Sequence, residues 1–125
     1  MEPDEEPKLS LNRYLASYME LLLDPKENFM VIDELLPLID RDSIEHTLRT
    51  KPSTYTRDEL YQIYQADLYL IEHAGLAARW FRTKPPHRRN IPKDLWWWHF
   101  HLIADGLIHP HPHQAYKQWL EMAGY

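Results

Sequence analysis

The sequence predicts an all-α fold, a single compact bundle of five or six helices with one long central helix. Three observations support this prediction. Apolar residues recur at spacings of three and four along most of the chain, which is typical of helices with one buried face. Capping residues stand where several of these segments begin, and no run of alternating β-branched residues indicates a strand. The 125 residues fit one domain.

The first helical segment follows an acidic stretch. Residues 1–8, MEPDEEPK, are predicted to be a disordered, solvated tail, which leaves residues 9–125 as a single helical domain. Ser10 is placed to cap the first helix. Its apolar face would be formed by Leu11, Tyr14, Leu15, Tyr18, Met19 and Leu22.

A second helix is predicted to begin where the first one ends, at Asp24-Pro25. Asp24 as N-cap, Pro25 at the first helical position and Glu27 three residues after the cap form a strong start signal. Pro37 is expected to end or kink this helix, because it lacks an N–H group and its ring clashes with the preceding turn. The buried face would comprise Phe29, Ile32, Leu35 and Leu36.

Two further starts have the spacing of a capping box. Asp42 with Glu45 predicts a short helix to Thr50, and Thr56 with Glu59 predicts the longest helix, running to about Arg82. Gly75 lies inside that long helix and costs about 1 kcal/mol relative to alanine. It indicates a close helix approach, a bend or an early end. The apolar side would be Leu60, Ile63, Tyr64, Ile71, Ala74, Ala78 and Phe81.

The segment LWWWHFHLIADG belongs to a predicted fifth helix that starts near Pro92, ends at Gly106 in a left-handed C-terminal conformation, and is apolar nearly all round. Trp97, Phe100 and His101 would lie opposite the face that carries Trp98. Such a helix is either wrapped in the core or presents an aromatic face to another protein, and the sequence leaves both open. A sixth helix is predicted from Pro112 to Met122.

Histidines in and after this segment raise the question of a metal site. His101 and Asp105 stand four apart and would share a helical face. His109, His111 and His113 alternate with prolines, so an extended chain would point all three the same way, toward zinc, nickel or copper. A polyproline conformation would instead rotate them apart and leave them as loop histidines.

A basic segment, residues 79–93, carries six of the chain's fourteen lysines and arginines beside Trp80 and Phe81. This composition suits an acidic protein surface or RNA, and it is equally typical of a solvated loop. The net charge of −5 favours the acidic protein, because phosphate contacts supply most of the affinity for nucleic acids. The chain's own acidic N-terminal tail is one candidate partner, within one chain or across a dimer.

Composition narrows the function classes. There is no cysteine, so disulfides and thiol chemistry are excluded. No apolar run is long enough for a membrane span, and the acidic N-terminus is unlike a signal peptide, so we expect a cytoplasmic protein without membrane contact. Three glycines offer no phosphate-cradling loop, and no zinc-protease, di-iron or serine-hydrolase motif is present.

These observations together predict a small, non-catalytic adaptor or regulatory subunit that binds another protein or a second copy of itself. Trp97, Phe100, Arg82, Arg88 and Arg89 would make the contact. One alternative is a metal-binding protein that uses the five residues His101, Asp105, His109, His111 and His113. The other is an accessory protein that binds nucleic acid through residues 79–93.

Overall fold

The computed structural model describes residues 7–23, 36–83 and 91–125. Within these ranges the chain forms one compact bundle of α-helices without any strand, so the all-α prediction is confirmed. None of the helices there is both long enough and apolar enough to cross a membrane. The helices are α1 (Pro7–Leu23), α2 (Leu36–Thr50), α3 (Arg57–Glu72), α4 (Ala74–Thr83), α5 (Phe100–Ala104) and α6 (Pro112–Ala123), with short 3₁₀ helices at Pro52–Thr54 and Trp96–Trp98.

Helix α1 begins at Pro7, three residues before the predicted cap at Ser10. Proline suits this position because its fixed φ is helical and its missing N–H is not needed in a first turn. The predicted apolar face is confirmed at Leu11 and Tyr14, which are buried against α2 and α3. Lys8 forms an ion pair with Glu59 and so fastens the start of α1 to the start of α3.

Helix α2 corrects the prediction of a helix that begins at Asp42. It runs without interruption from Leu36, so Pro37 falls in its first turn, where proline is tolerated. Asp42 lies in the middle of the helix, and its Oδ1 accepts hydrogen bonds of 2.8 Å from the indole N–H groups of Trp97 and Trp98. The predicted second helix at residues 24–35 lies outside the described residues.

The capping box at the start of α3 is confirmed. The Thr56 hydroxyl accepts from the Glu59 backbone N–H at 3.1 Å, and the Glu59 carboxylate accepts from the Thr56 N–H at 2.8 Å. The predicted continuous helix to Arg82 is not formed, because the backbone leaves helical geometry at His73 (φ −106°, ψ 24°) and resumes as α4 at Ala74. Two shorter helices therefore take the place of one long helix.

The tryptophan segment corrects a third prediction, that of a regular helix from near Pro92 to Gly106. Trp96–Trp98 is a 3₁₀ helix, the chain breaks at His99 (φ −130°, ψ 43°), and α5 has only five residues. This break removes the 100° advance per residue on which opposite faces were assigned, and the adjacent Trp97 and Trp98 are both buried. Gly106 ends the segment in the left-handed conformation (φ 73°), as the sequence predicts.

The hydrophobic core lies where the helices and the tryptophan segment meet. Aromatic rings from distant parts of the chain converge there, which explains how three short elements after residue 91 are held. Its larger buried members are Leu11, Tyr14, Ile44, Leu48, Tyr55, Leu60, Ile63, Trp97, Trp98, Phe100 and Trp119.

Candidate binding pocket

The predicted aromatic contact face is not on the surface. Trp97 is 1% exposed and Phe100 is 2% exposed, and both belong to the core. The expectation that they present a free face to a partner is therefore wrong: a 3₁₀ helix and a break at His99 replace the regular helix on which that face was assigned. Trp96 is only partly buried, and its ring meets that of Trp97 edge-on, with 5.3 Å between the ring centres.

The five predicted metal ligands do not converge. In the part of the chain that the structure describes, no three histidine, aspartate or glutamate side chains are arranged to hold a metal ion. His101 is exposed on α5, with its ring 6.2 Å from that of His99. The chain turns into α6 at Pro112, which carries His113 toward Tyr64, at 6.2 Å between rings.

The basic residues predicted for partner contact are described only in part. Arg82 lies in the last turn of α4. Arg88 and Arg89 fall in residues 84–90, outside the described residues.

A half-open cavity of about 520 Å³ lies between α2, the segment before the tryptophans, the His-Pro segment and α6. We call it the aromatic pocket. Helix α6 contributes Pro112, Ala115, Trp119 and Met122 to its wall. The remaining apolar surface comes from Leu48, Trp96, Trp97, Ile108 and Pro110. His109 and His111, two of the predicted metal ligands, also line the pocket.

The floor of the aromatic pocket is a buried ion pair. Arg41 from α2 and Asp67 from α3 are each 2% exposed. The guanidinium donates to both carboxylate oxygens, from Nε at 3.0 Å and from NH2 at 2.9 Å. Tyr14 from α1 donates its hydroxyl to the same carboxylate at 2.8 Å. Three helices are thus joined at one point beneath the cavity.

Two indole rings enclose the arginine of this pair. The Arg41 guanidinium carbon lies 4.4 Å from the centre of the Trp97 ring and 5.9 Å from that of Trp119. A cation over an aromatic face is attracted by the ring quadrupole, and more strongly when water is excluded. Arg41 therefore also fixes the positions of two tryptophans in the pocket wall.

The floor is electrostatically self-contained. Burial alone would lower the pKa of Arg41, but Asp67 and Glu45 raise it, so the guanidinium stays charged. Burial raises the pKa of Asp67, and Arg41 opposes that effect. For Glu45, burial would raise the pKa, but Arg41 and Arg49 outweigh it and the pKa is lowered. Each charge on the floor is matched by a neighbour.

The ion pairs of the floor continue to the rim of the pocket, where further polar side chains have no partner in the described part of the chain. Glu45 accepts from Arg41 at 2.9 Å and from Arg49 at 2.6 Å, and Arg49 reaches Asp94 at 2.9 Å. The remaining polar lining residues are Lys93, His109, His111 and Gln118. Among the described residues, none of these four side chains has a hydrogen-bond or ion-pair partner.

The sequence contained one signal for this pocket. Asp67 falls on the buried face of its helix, in step with Leu60, Ile63 and Leu70. A charged residue at an apolar position implies a buried partner, but spacing does not say which of the chain's bases it is. Arg41 carries no comparable local signal.

Comparisons with protein-family models, with curated proteins and with solved structures find no match to this chain. The aromatic pocket is therefore interpreted from its own chemistry.

Proposed function

We propose that this chain is a non-catalytic protein-interaction module, an adaptor or regulatory subunit, and that a short segment of its partner binds in the aromatic pocket. One observation carries the proposal. The charged side chains at the base of the pocket are already paired, because Arg41 forms ion pairs with both Asp67 and Glu45. What the pocket offers a ligand is apolar and aromatic surface with a polar rim, the composition of a binding site.

The dimensions of the pocket agree with this role. A volume of about 520 Å³ lies within the range of roughly 300–1,000 Å³ that is typical of ligand pockets. It is half-open, so a peptide segment can enter as well as a small molecule. Trp96, which lines the pocket and is only partly buried, is the type of residue in which binding energy concentrates.

The contact residues differ from those that the sequence suggested. Trp97 supports the wall from beneath, and Trp96 and Met122 are the accessible members. Met122 is 56% exposed at the pocket edge. Methionine is flexible and polarisable, which suits a surface that adapts to an apolar partner side chain.

A peptide-display selection against the folded chain tests the proposal. Two variants introduce the same glutamate, one at the pocket and one away from it. Met122→Glu places a charge at the pocket edge. Leu107→Glu places the same charge on a side chain that is 69% exposed and lies outside the pocket. We expect related peptides to be enriched, and their binding to be lost with Met122→Glu but kept with Leu107→Glu.

Circular dichroism first establishes that both variants fold like the parent chain. Failure to enrich any peptide family would contradict the proposal. Peptides that bind equally well to both variants would contradict it too, because the aromatic pocket would not be their site.

A further inference from the structure

We infer, on the basis of the proposed function, that the aromatic pocket selects a partner segment in which an aspartate or glutamate stands beside an apolar anchor residue. The anchor would enter between Trp96, Pro110 and Met122. The carboxylate would meet the rim donors Lys93, His109 and His111.

The carboxylates of the pocket already have partners, whereas several of its hydrogen-bond donors do not. Both oxygens of Asp67 accept from Arg41, and the two oxygens of Glu45 accept separately from Arg41 and Arg49. Asp94, an exposed carboxylate at the rim, accepts from Arg49. Each acid of the pocket is thus already paired with an arginine, which weakens its recognition of a cationic ligand. Lys93 contributes an ammonium group that has no ion pair among the described residues.

The imidazoles extend this surplus of donors along one wall. His109 and His111 alternate with Pro110 and Pro112 and line the same cavity. Each imidazole carries at least one N–H donor in either charge state. A carboxylate has two acceptor oxygens and no donor, so it complements this wall.

The start of α6 adds to the same preference. This helix of twelve residues begins at the pocket wall, its N-cap His111 makes no side-chain capping bond, and its first turn contains no acid. Helix α3, by contrast, has a complete capping box and two acids in its first turn. An N-terminus without such compensation favours a nearby negative charge.

The acid and the anchor are expected close together because the two parts of the pocket are contiguous. Lys93 is three residues from Trp96 in the chain, and both line the cavity. His109 and His111 flank Pro110. A ligand that fills the apolar part therefore brings its neighbouring side chains to the donors.

The test uses the peptides from the selection whose binding depends on Met122. Each is synthesised twice, once as selected and once with Asp and Glu replaced by Asn and Gln, and binding to the full chain is measured by fluorescence anisotropy. The chain is used as the parent, as Lys93→Gln and as the control Lys117→Gln, an exposed lysine on α6 outside the pocket.

We expect the amide peptides to bind about two- to fivefold more weakly, the size of a partly exposed ion pair. Lys93→Gln should weaken the acidic peptides by a similar factor and leave the amide peptides unchanged. Lys117→Gln should change neither. This pattern ties the carboxylate to Lys93, because a general loss of stability would affect both peptides alike.

Two results would overturn the inference. If pocket-dependent peptides carry no acid, or if their amide forms bind equally well, the acidic preference is refuted while the proposed function stands. If no peptide depends on the pocket at all, the proposed function fails, and the inference falls with it.

Discussion

Asp67→Asn is the substitution that most directly tests the buried network beneath the pocket. The change keeps the shape of the side chain and removes its charge. Arg41, only 2% exposed, then loses its bidentate partner and faces an amide group that offers one acceptor in place of two. Glu45 remains bonded to Arg41, so the guanidinium keeps one of its two acids.

The expected cost follows from the burial of the pair. Removing one member of a buried ion pair costs about 3–5 kcal/mol when the other charge is left without compensation away from water. Because Glu45 still compensates part of the Arg41 charge, we expect a cost near the lower end of this range. For a domain of this length, that corresponds to a melting temperature lowered by about 10–20 °C. Replacing both residues, as Arg41→Met with Asp67→Leu, should cost less than the two single changes together, because Glu45 keeps Arg49 as its partner and only the Tyr14 hydroxyl loses its acceptor.

Urea unfolding followed by circular dichroism measures these free energies, and Asp58→Asn serves as the control. The control makes the same chemical change at an exposed position in the first turn of the same helix. It should lower the free energy of unfolding by less than about 1 kcal/mol. The reasoning is refuted if Asp67→Asn costs less than about 1 kcal/mol, or if the double replacement costs as much as the sum of its parts.

Three more predictions concern the residues around this network. Asp42→Ala removes the carboxylate to which two indole N–H groups donate, and should lower the free energy of unfolding by about 1–3 kcal/mol in urea. Trp97→Ala should lower it by about 3–5 kcal/mol, because it empties a core position. Glu45→Gln should depend on pH. Although burial alone would raise the pKa of Glu45, Arg41 and Arg49 lower it below its ordinary 4.5, so the carboxylate adds stability at neutral pH that is lost in acid. The melting temperatures of the parent and this variant should differ at pH 7, and the difference should shrink as the pH falls below 4.5.

Each of these predictions has an outcome that contradicts it. If Asp42→Ala leaves the free energy of unfolding unchanged, water replaces the carboxylate as acceptor for the two indole N–H groups. A stable Trp97→Ala that loses only partner binding would restore the exposed aromatic face. A difference for Glu45→Gln that persists undiminished at pH 3 would show that the ion pairs with Arg41 and Arg49 are not its origin.

The sequence predicted the structure correctly where the interacting residues are close together in the chain. The capping box at Thr56 and Glu59 forms as its spacing predicts, since both partners lie within one helical turn. Helix α6 begins at Pro112, and Gly106 takes a left-handed φ, because these preferences belong to the residues themselves.

The predictions were wrong where a side chain bonds to a residue distant in the chain instead of to its neighbours. Asp42 and Glu45 have the spacing of a capping box, but Asp42 binds two tryptophans more than fifty residues away, and Glu45 binds two arginines. Helical periodicity failed from Trp96 onward, because a 3₁₀ helix and the break at His99 replace the regular helix there, and Trp97 and Trp98 are both buried. The pocket itself joins side chains from four segments of the chain, which no local pattern contains.

The central claim, that a partner segment binds in the aromatic pocket, is tested most directly by nuclear magnetic resonance on ¹⁵N-labelled protein titrated with a selected peptide. The side-chain amide of Gln118 and the indole N–H of Trp96 report on the pocket, while the amide of Gln65, which bonds to the Tyr61 hydroxyl on α3, reports on a surface outside it. We predict saturable shifts for Gln118 and Trp96 with Gln65 unchanged. Shifts at Gln65 with Gln118 and Trp96 unmoved would contradict the claim.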